Sequence, residues 1–354
     1  MRRGWIAFAL LVLAACSSQT AAPPPAASPA TDDFGAPPAG VPLIYAADPH
    51  HAGWYIGIDW NGKPRATIKL SKPLTPVQTL LQAPDGSAFV IPPLKVTGGA
   101  FLDRLGTPIA DPNPPSSRLM WADDSTHVCT LDYSDRQWQL GLETPGTPAV
   151  IHPVALDPLI VQSGIIAIDF QSCSAKNDRA VLVYNYFGRA TDVYVVRISD
   201  GTVLLHQSHP ANVLAGITAS EDGSLIAEDS SKSSGYLMGP TAPNTTVRRV
   251  ADAALVAKLD PSYFVVAFSR DDSLALVSTS PLASGAPTNL ALVRLADGAV
   301  LWHRDSSEEF GGRWVRPDGL DIAYQLGPPT GPGPGPLEIV IVHPDGTATS
   351  RRLP

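Results

Sequence analysis

Among its 354 residues, the histidines, the cysteines and a scatter of carboxylates are the groups whose types and spacing could do chemistry. His152, His206 and His303 look at first like a ligand set. His206 and His209 are three apart with Gln207 and Ser208 between them, and His50 and His51 are adjacent behind Asp48 and Pro49. A zinc site needs three or four convergent ligands, and neither local pair has a third beside it. Both pairs read as loop residues. Cys129 and Cys173 are an even pair outside the first twenty residues and read either as a disulfide or as two separately buried thiols. The chain has no G-x-S-x-G elbow, no H-E-x-x-H and no phosphate-cradling glycine loop. No catalytic residue, metal ligand set or cofactor site is therefore assigned.

The elements that would position these residues are written as a repeat. One series of turn signals runs Asp85-Gly86-Ser87, Asp123-Asp124-Ser125, Asn177-Asp178, Asp222-Gly223-Ser224, Asp271-Asp272-Ser273 and Asp318-Gly319, at intervals of 38, 54, 45, 49 and 47 residues. A second series falls between: Asn61-Gly62, Gly106, Gly146, Asp200-Gly201, Asp297-Gly298 and Asp345-Gly346, with a gap expected near Asn244. Val196–His206 and Val293–His303 share seven identities in eleven, 97 residues apart. Asp-Gly and Asn-Gly favour hairpin turns because Gly accepts positive φ and Asp or Asn tolerates it. Two hairpins per period make four short strands per 40 to 50 residues, the period of a β-propeller blade. The chain is predicted to be an all-β, seven-bladed β-propeller, with six or eight blades also compatible. The first blade is incomplete and uses Pro42–Ala46, Trp54–Asp59 and Arg65–Leu70. His152, His206 and His303 then sit on the outer strands of different blades and cannot meet on one ion.

Ala83-Pro84-Asp85-Gly86-Ser87, Ser220-Glu221-Asp222-Gly223-Ser224 and Arg316-Pro317-Asp318-Gly319 resemble the S-P-D-G turn of bacterial WD40-like and TolB-type propellers. The Gly-His and Trp-Asp pairs of eukaryotic WD40 repeats are missing. The resemblance implies a fold and no activity. Asp297–Trp302 also resembles the Trp-bearing repeat of quinoprotein dehydrogenases, but its copy carries Leu205 where that repeat needs Trp.

In such a fold both turn series share one face and the longer connections lie on the other. Loops on a rigid scaffold concentrate binding residues. Tyr186, Phe187 and Arg189, His209 in the connection 206–212, and the acidic cluster Asp305, Glu308 and Glu309 are the binding-face candidates.

The first residues carry an address. Arg2 and Arg3 precede an apolar run from Trp5 to Ala15, about 16 Å as a helix and too short for a bilayer core. This pattern reads as an export signal. Leu13-Ala14-Ala15-Cys16 resembles the lipobox of bacterial lipoproteins, which implies cleavage before Cys16 and lipidation of its sulfur. Residues 1–15 are then a signal peptide and 16–40 a tether, with six Pro and seven Ala from Ala21 to Gly40. The propeller is expected over 41–354. The 36 prolines argue against an α-helical bundle. The net charge of −8 lacks the basic stripe that nucleic acid requires. These signs together describe a lipoprotein held at a membrane in the cell envelope and facing out of the cytoplasm, at the outer membrane if the source has one. It acts there as a non-catalytic binding module or scaffold for an unidentified protein or polymer. An enzyme with its site at the propeller channel is the alternative.

Overall fold

The computed structural model describes residues 33–75, 79–93, 98–109, 118–135, 137–156, 168–186, 190–210, 216–229, 245–278, 288–306, 309–327 and 337–353. They form seven antiparallel sheets. Blade 1 holds β1 (Leu43–Ala47), β2 (Trp54–Asp59) and β3 (Pro64–Lys69). Blade 2 holds β4 (Leu81–Gln82), β5 (Ala88–Ile91) and β6 (Ala100–Asp103), with a single bridge from Leu102 to Pro108 where a fourth strand would lie. Blade 3 is β7 (Arg118–Trp121), β8 (Val128–Ser134), β9 (Gln137–Glu143) and β10 (Val150–Val154). Blade 4 is β11 (Ile168–Ser174), β12 (Arg179–Tyr186), β13 (Ala190–Arg197) and β14 (Val203–Pro210). Blade 5 is β15 (Gly216–Ala219), β16 (Leu225–Asp229), β17 (Thr245–Arg249) and β18 (Leu255–Leu259). Blade 6 is β19 (Phe264–Phe268), β20 (Leu274–Ser278), β21 (Thr288–Arg294) and β22 (Val300–Ser306). Blade 7 is β23 (Glu309–Val315), β24 (Ile322–Gly327), β25 (Glu338–Val342) and β26 (Ala348–Arg352).

Each sheet buries both faces, which explains why its middle strands read as unbroken apolar runs rather than alternating ones. Ala180 and Leu182 of β12 pack towards blade 3, while Val181 and Val183 of the same strand pack towards blade 5. The buried apolar residues accordingly fall into seven clusters, each at the interface of two neighbouring blades. The seventh closes the ring: Ile44, Ile56 and Ile58 of blade 1 meet Ala323, Ile339 and Ile341 of blade 7. Among the described residues the closure is side-chain packing, since no strand of one terminal blade is lent to the other.

The matched copies at Asp200-Gly201 and Asp297-Gly298 make the same turn. Asp200 Oδ1 accepts the Thr202 N–H at 2.9 Å and Asp297 Oδ1 the Ala299 N–H at 3.1 Å. Arg197 and Arg294 each pair with the turn's aspartate. Three expectations need correction. The second-series turn of blade 5 lies at Asp252-Ala253, between β17 and β18, and not near Asn244, which is outside the described residues. Ala253 takes φ 56 there without a glycine, so the turn had no glycine to mark it. The propeller's contacts also begin before residue 41. Gly35 O accepts the Thr67 N–H at 2.9 Å, Lys69 Nζ sits 2.6 Å from Asp33 Oδ2, and Phe34 packs on the blade 1–7 cluster. Third, the connections 206–212 and 305–312 are largely strand, because the ladders of β14 and β22 run on to Pro210 and Ser306.

Among the described residues, blade 1 has no inner strand, whereas every other blade has one. Turn neighbours show which strand is missing. The Gly106 turn sits against Leu70 and Ile68 at the end of β3, just as the Gly201 turn sits against Pro153 and the Gly346 turn against Leu301 on the outer strands β10 and β22. β3 is therefore the outer strand. Gly86 lies against Leu43 at the start of β1, as Gly223 lies against Arg179 at the start of β12, the second strand of its blade. β1 is thus a second strand, and among the described residues nothing pairs as a strand with its inner edge.

Candidate functional site in the central channel

The inner strands surround a cavity of about 620 Å³, within the range of small-ligand and peptide sites. Its wall includes Trp121, Phe268 and Trp314, with Tyr45, Ala46 and Ala47 of β1 filling the gap left by the missing strand. Three charged side chains line it, Asp123, Glu221 and Arg313, and a fourth, Arg270, bonds Glu221 and the Asp123 carbonyl.

Three of these occupy the same place in the repeat. In the turn after each inner strand, the residue before the aspartate or asparagine is Pro84 in blade 2, Asp123 in blade 3, Lys176 in blade 4, Glu221 in blade 5, Arg270 in blade 6 and Pro317 in blade 7. In blades 3, 5 and 6 the residues placed there meet, whereas Lys176 is exposed. Arg270 Nη1 lies 2.9 Å from Glu221 Oε2, and its Nη2 donates to the Asp123 carbonyl at 3.0 Å, a link from blade 6 to blade 3. Arg270 thus reaches across the ring at the level of the turns. Arg313, on β23, donates from Nη1 to the Val266 carbonyl of blade 6.

The electrostatics follow from depth. Glu221 on the cavity wall and Arg270 bonded to it keep 30% and 27% of their side-chain surface. Desolvation raises the Glu221 carboxyl above its ordinary value and Asp123 pushes the same way; Arg270 and Arg313 oppose the shift. Desolvation likewise lowers the Arg313 guanidinium. Asp123 is 4% exposed. Its Oδ2 accepts from Ser174 Oγ at 2.9 Å, while its Oδ1 has no partner among the described residues. A buried carboxylate oxygen left unpaired favours any ligand that brings it a donor.

Gln82 stands beside the gap in blade 1. Its Oε1 accepts the Tyr45 N–H at 2.8 Å and its Nε2 donates to the Leu43 carbonyl at 2.7 Å. The side-chain amide thus satisfies one donor and one acceptor on the edge of β1.

The residues singled out from the sequence lie elsewhere. Cys16, Phe187, Arg189 and Glu308 are outside the described residues. Tyr186 ends β12, Asp305 is exposed on β22 and Glu309 begins β23, so these do not form one loop cluster. His209 lies on β14 opposite Thr191, with Nε2 3.5 Å from Glu228 Oε1 on blade 5. His152, His206 and His303 are on β10, β14 and β22, the outer strands of blades 3, 4 and 6. His206 stacks on Tyr194 at 4.3 Å and approaches Asp192 at 3.2 Å. His51 pairs with Asp48 at 2.9 Å. Among the described residues no three His, Cys, Asp or Glu side chains are grouped to hold a metal ion. Cys129 on β8 and Cys173 on β11 form a disulfide between blades 3 and 4, with Cα atoms 6.1 Å apart inside their shared core.

The turn aspartates were legible as turn formers, but the charged residue just before them carries the site. The departure from Pro to a charged residue at that position in four blades, Asp123, Lys176, Glu221 and Arg270, is the signal that could have found it.

No family model matches the chain, and no curated protein does. Among solved structures, the chain is similar to the β-propeller domain of Cps50 (Swd1) from Myceliophteria thermophila, at 11% identity, over 80% of this chain and 89% of that one, with a TM-score of 0.49.

Proposed function

We propose that this β-propeller is a non-catalytic binding module that takes its ligand in the central channel. In this reading a bacterial lipoprotein, of the TolB-type suggested by its turns, carries the module outside the cytoplasm on a lipid attached to Cys16. The observation that carries the binding role is that Asp123, Glu221 and Arg313 line a 620 Å³ cavity, with Arg270 bonded to the first two and the edge of β1 on the wall. Two of these charges are fixed against each other and one buried oxygen is left open. That arrangement suits recognition, in which preset groups await a complementary partner. The ligand is a segment of an envelope protein or polymer, with the membrane met through the anchor.

The test uses the chain with Cys16→Ser, immobilised beside the same chain carrying Asp123→Asn. Peptides from a protease-treated envelope extract and glycan strands are passed over both. Retention by the first and its loss in the second is the expected result. Equal retention by both, or by neither, overturns the channel as a binding site. Separately, Cys16→Ser moves the protein from the membrane fraction to the soluble fraction if the anchor is real.

One observation favours a second reading. Glu221 is raised while Asp123 lies near enough to contribute to that shift. A carboxyl whose proton affinity is raised by burial is what general acid–base catalysis uses. Hydrolysis or elimination of a channel-bound substrate, abolished by Glu221→Gln with binding retained, would establish it.

A further inference from the structure

Channel binding leaves open what enters, and the edge of β1 narrows the answer. Antiparallel pairing alternates residues that bond the partner strand with residues that point away from it. Gln82 takes the Tyr45 N–H and the Leu43 carbonyl, so Leu43, Tyr45 and, two further on, Ala47 present their backbone groups to the free edge. Leu43 N–H is 3.4 Å from the Asp85 carbonyl. The Tyr45 carbonyl and the Ala47 N–H have no partner among the described residues. They lie on the wall of the cavity.

We infer that the empty inner-strand position of blade 1 accepts an extended peptide from another molecule, which adds to β1 as a strand and offers a basic side chain to Asp123. The inference rests on the channel reading above. Two features choose the occupant. Gln82 already bonds part of the edge with an amide, so the edge offers both a donor and an acceptor to amide groups. Asp123 lines the same cavity and its buried Oδ1 has no partner among the described residues, so a lysine ammonium that reaches it supplies a donor with charge. The net charge of −8 favours a basic partner as well. Strand addition supplies affinity through main-chain bonds and specificity through side-chain pockets, here lined by Trp121, Phe268 and Trp314.

The probe is a library of heptapeptides with blocked ends and lysine fixed at the centre, set against the same library with norleucine there. The protein is the full chain with Cys16→Ser. The lysine library is expected to bind at least tenfold more tightly. Asp123→Asn should bring it down to the norleucine level. Ala47→Pro removes an edge N–H at the end of β1 and places a ring across the edge, a substitution edge strands tolerate; it should weaken binding at least tenfold. Gln82→Ala should strengthen binding by freeing Leu43 and Tyr45. Amide exchange gives an independent reading: the Ala47 N–H exchanges readily in the free chain and slows at least tenfold with the lysine library. Binding that responds to Asp123→Asn but not to Ala47→Pro, with no slowing at Ala47, overturns strand addition and leaves the channel reading standing. Binding insensitive to both, or no binding, overturns both. An Ala47 amide already protected in the free chain means that a segment of the chain itself fills the position, which also overturns the inference.

Discussion

Replacing Arg270 with Met keeps the length of the side chain and removes its charge from the middle of the ring. Two bonds are lost, the 2.9 Å contact to Glu221 Oε2 and the 3.0 Å contact to the Asp123 carbonyl. A hydrogen bond to a charged group contributes roughly 1.5–3 kcal/mol net when buried. Here 27% of the arginine and 30% of the glutamate side chain remain exposed, so solvent screening reduces that figure. A total loss of about 2–3 kcal/mol at pH 8 is expected. The loss depends on pH because it leaves Glu221 as an uncompensated carboxylate. Its carboxyl is already raised above its ordinary value in the intact chain, and removal of Arg270 raises it further. A group raised in the folded state holds its proton more tightly there, so its contribution is full at acidic pH and is lost as pH rises through the folded value. The difference between Arg270→Met and the intact chain should therefore be smaller at pH 5 than at pH 8, because uptake of a proton by Glu221 removes the uncompensated charge. Urea unfolding at the two pH values, in the native and Glu221→Gln backgrounds, measures it; the double variant should recover most of the loss. An equal loss at both pH values and in both backgrounds would refute the placement of Arg270 and Glu221 as a coupled pair.

Glu143 gives a second pH effect: it is 1% exposed, its Oε2 has no partner among the described residues, and burial pushes its carboxyl up to about 7. Stability should fall by about 3 kcal/mol between pH 4.5 and 7 through this group alone, and Glu143→Gln should flatten that slope in denaturation midpoints. Opening the Cys129–Cys173 bond, which spans a sequence separation of 44, should lower stability by about 4 kcal/mol, read from the unfolding of the Cys129→Ser/Cys173→Ser chain. The two matched turns should respond differently to alanine. Gly298→Ala meets nothing within 4 Å and carries only the strain of φ 71, about 1 kcal/mol, whereas a Cβ at Gly201 falls 2.2 Å from the Pro153 carbonyl and should raise the loss to about 3 kcal/mol or more in thermal melts.

The turns that recur along the chain set the blade count, because Asp-Gly pairs fix hairpins through local chemistry that leaves a mark in sequence. Ala253 adopts the same conformation without that mark, so its turn was sought near Asn244. The ends of β14 and β22 were read as loops because polar outer-edge residues such as His209 and Asp305 look like loop residues. Their strand state is fixed by register with β13 and β21, which pattern alone does not reveal. The first-blade strands were legible, whereas the pairing of Gln82 with β1 depends on two segments brought together from 37 and 39 residues apart. The same is true of Arg270 and Asp123, separated by 147 residues. Each was visible only as one residue of a turn, and the ring makes them a site.

The channel as the place of binding is tested most directly by fluorine NMR on the Cys16→Ser chain labelled with 5-fluorotryptophan. Trp121 and Trp314 line the cavity, Trp138 is buried between blades 3 and 4, and Trp302 lies on the outer strand β22. With resonances assigned by single Trp→Phe changes, addition of the lysine heptapeptides should move the Trp121 and Trp314 signals and leave those of Trp138 and Trp302 in place. Movement of Trp302 with Trp121 and Trp314 unmoved would put binding on the rim and contradict the account.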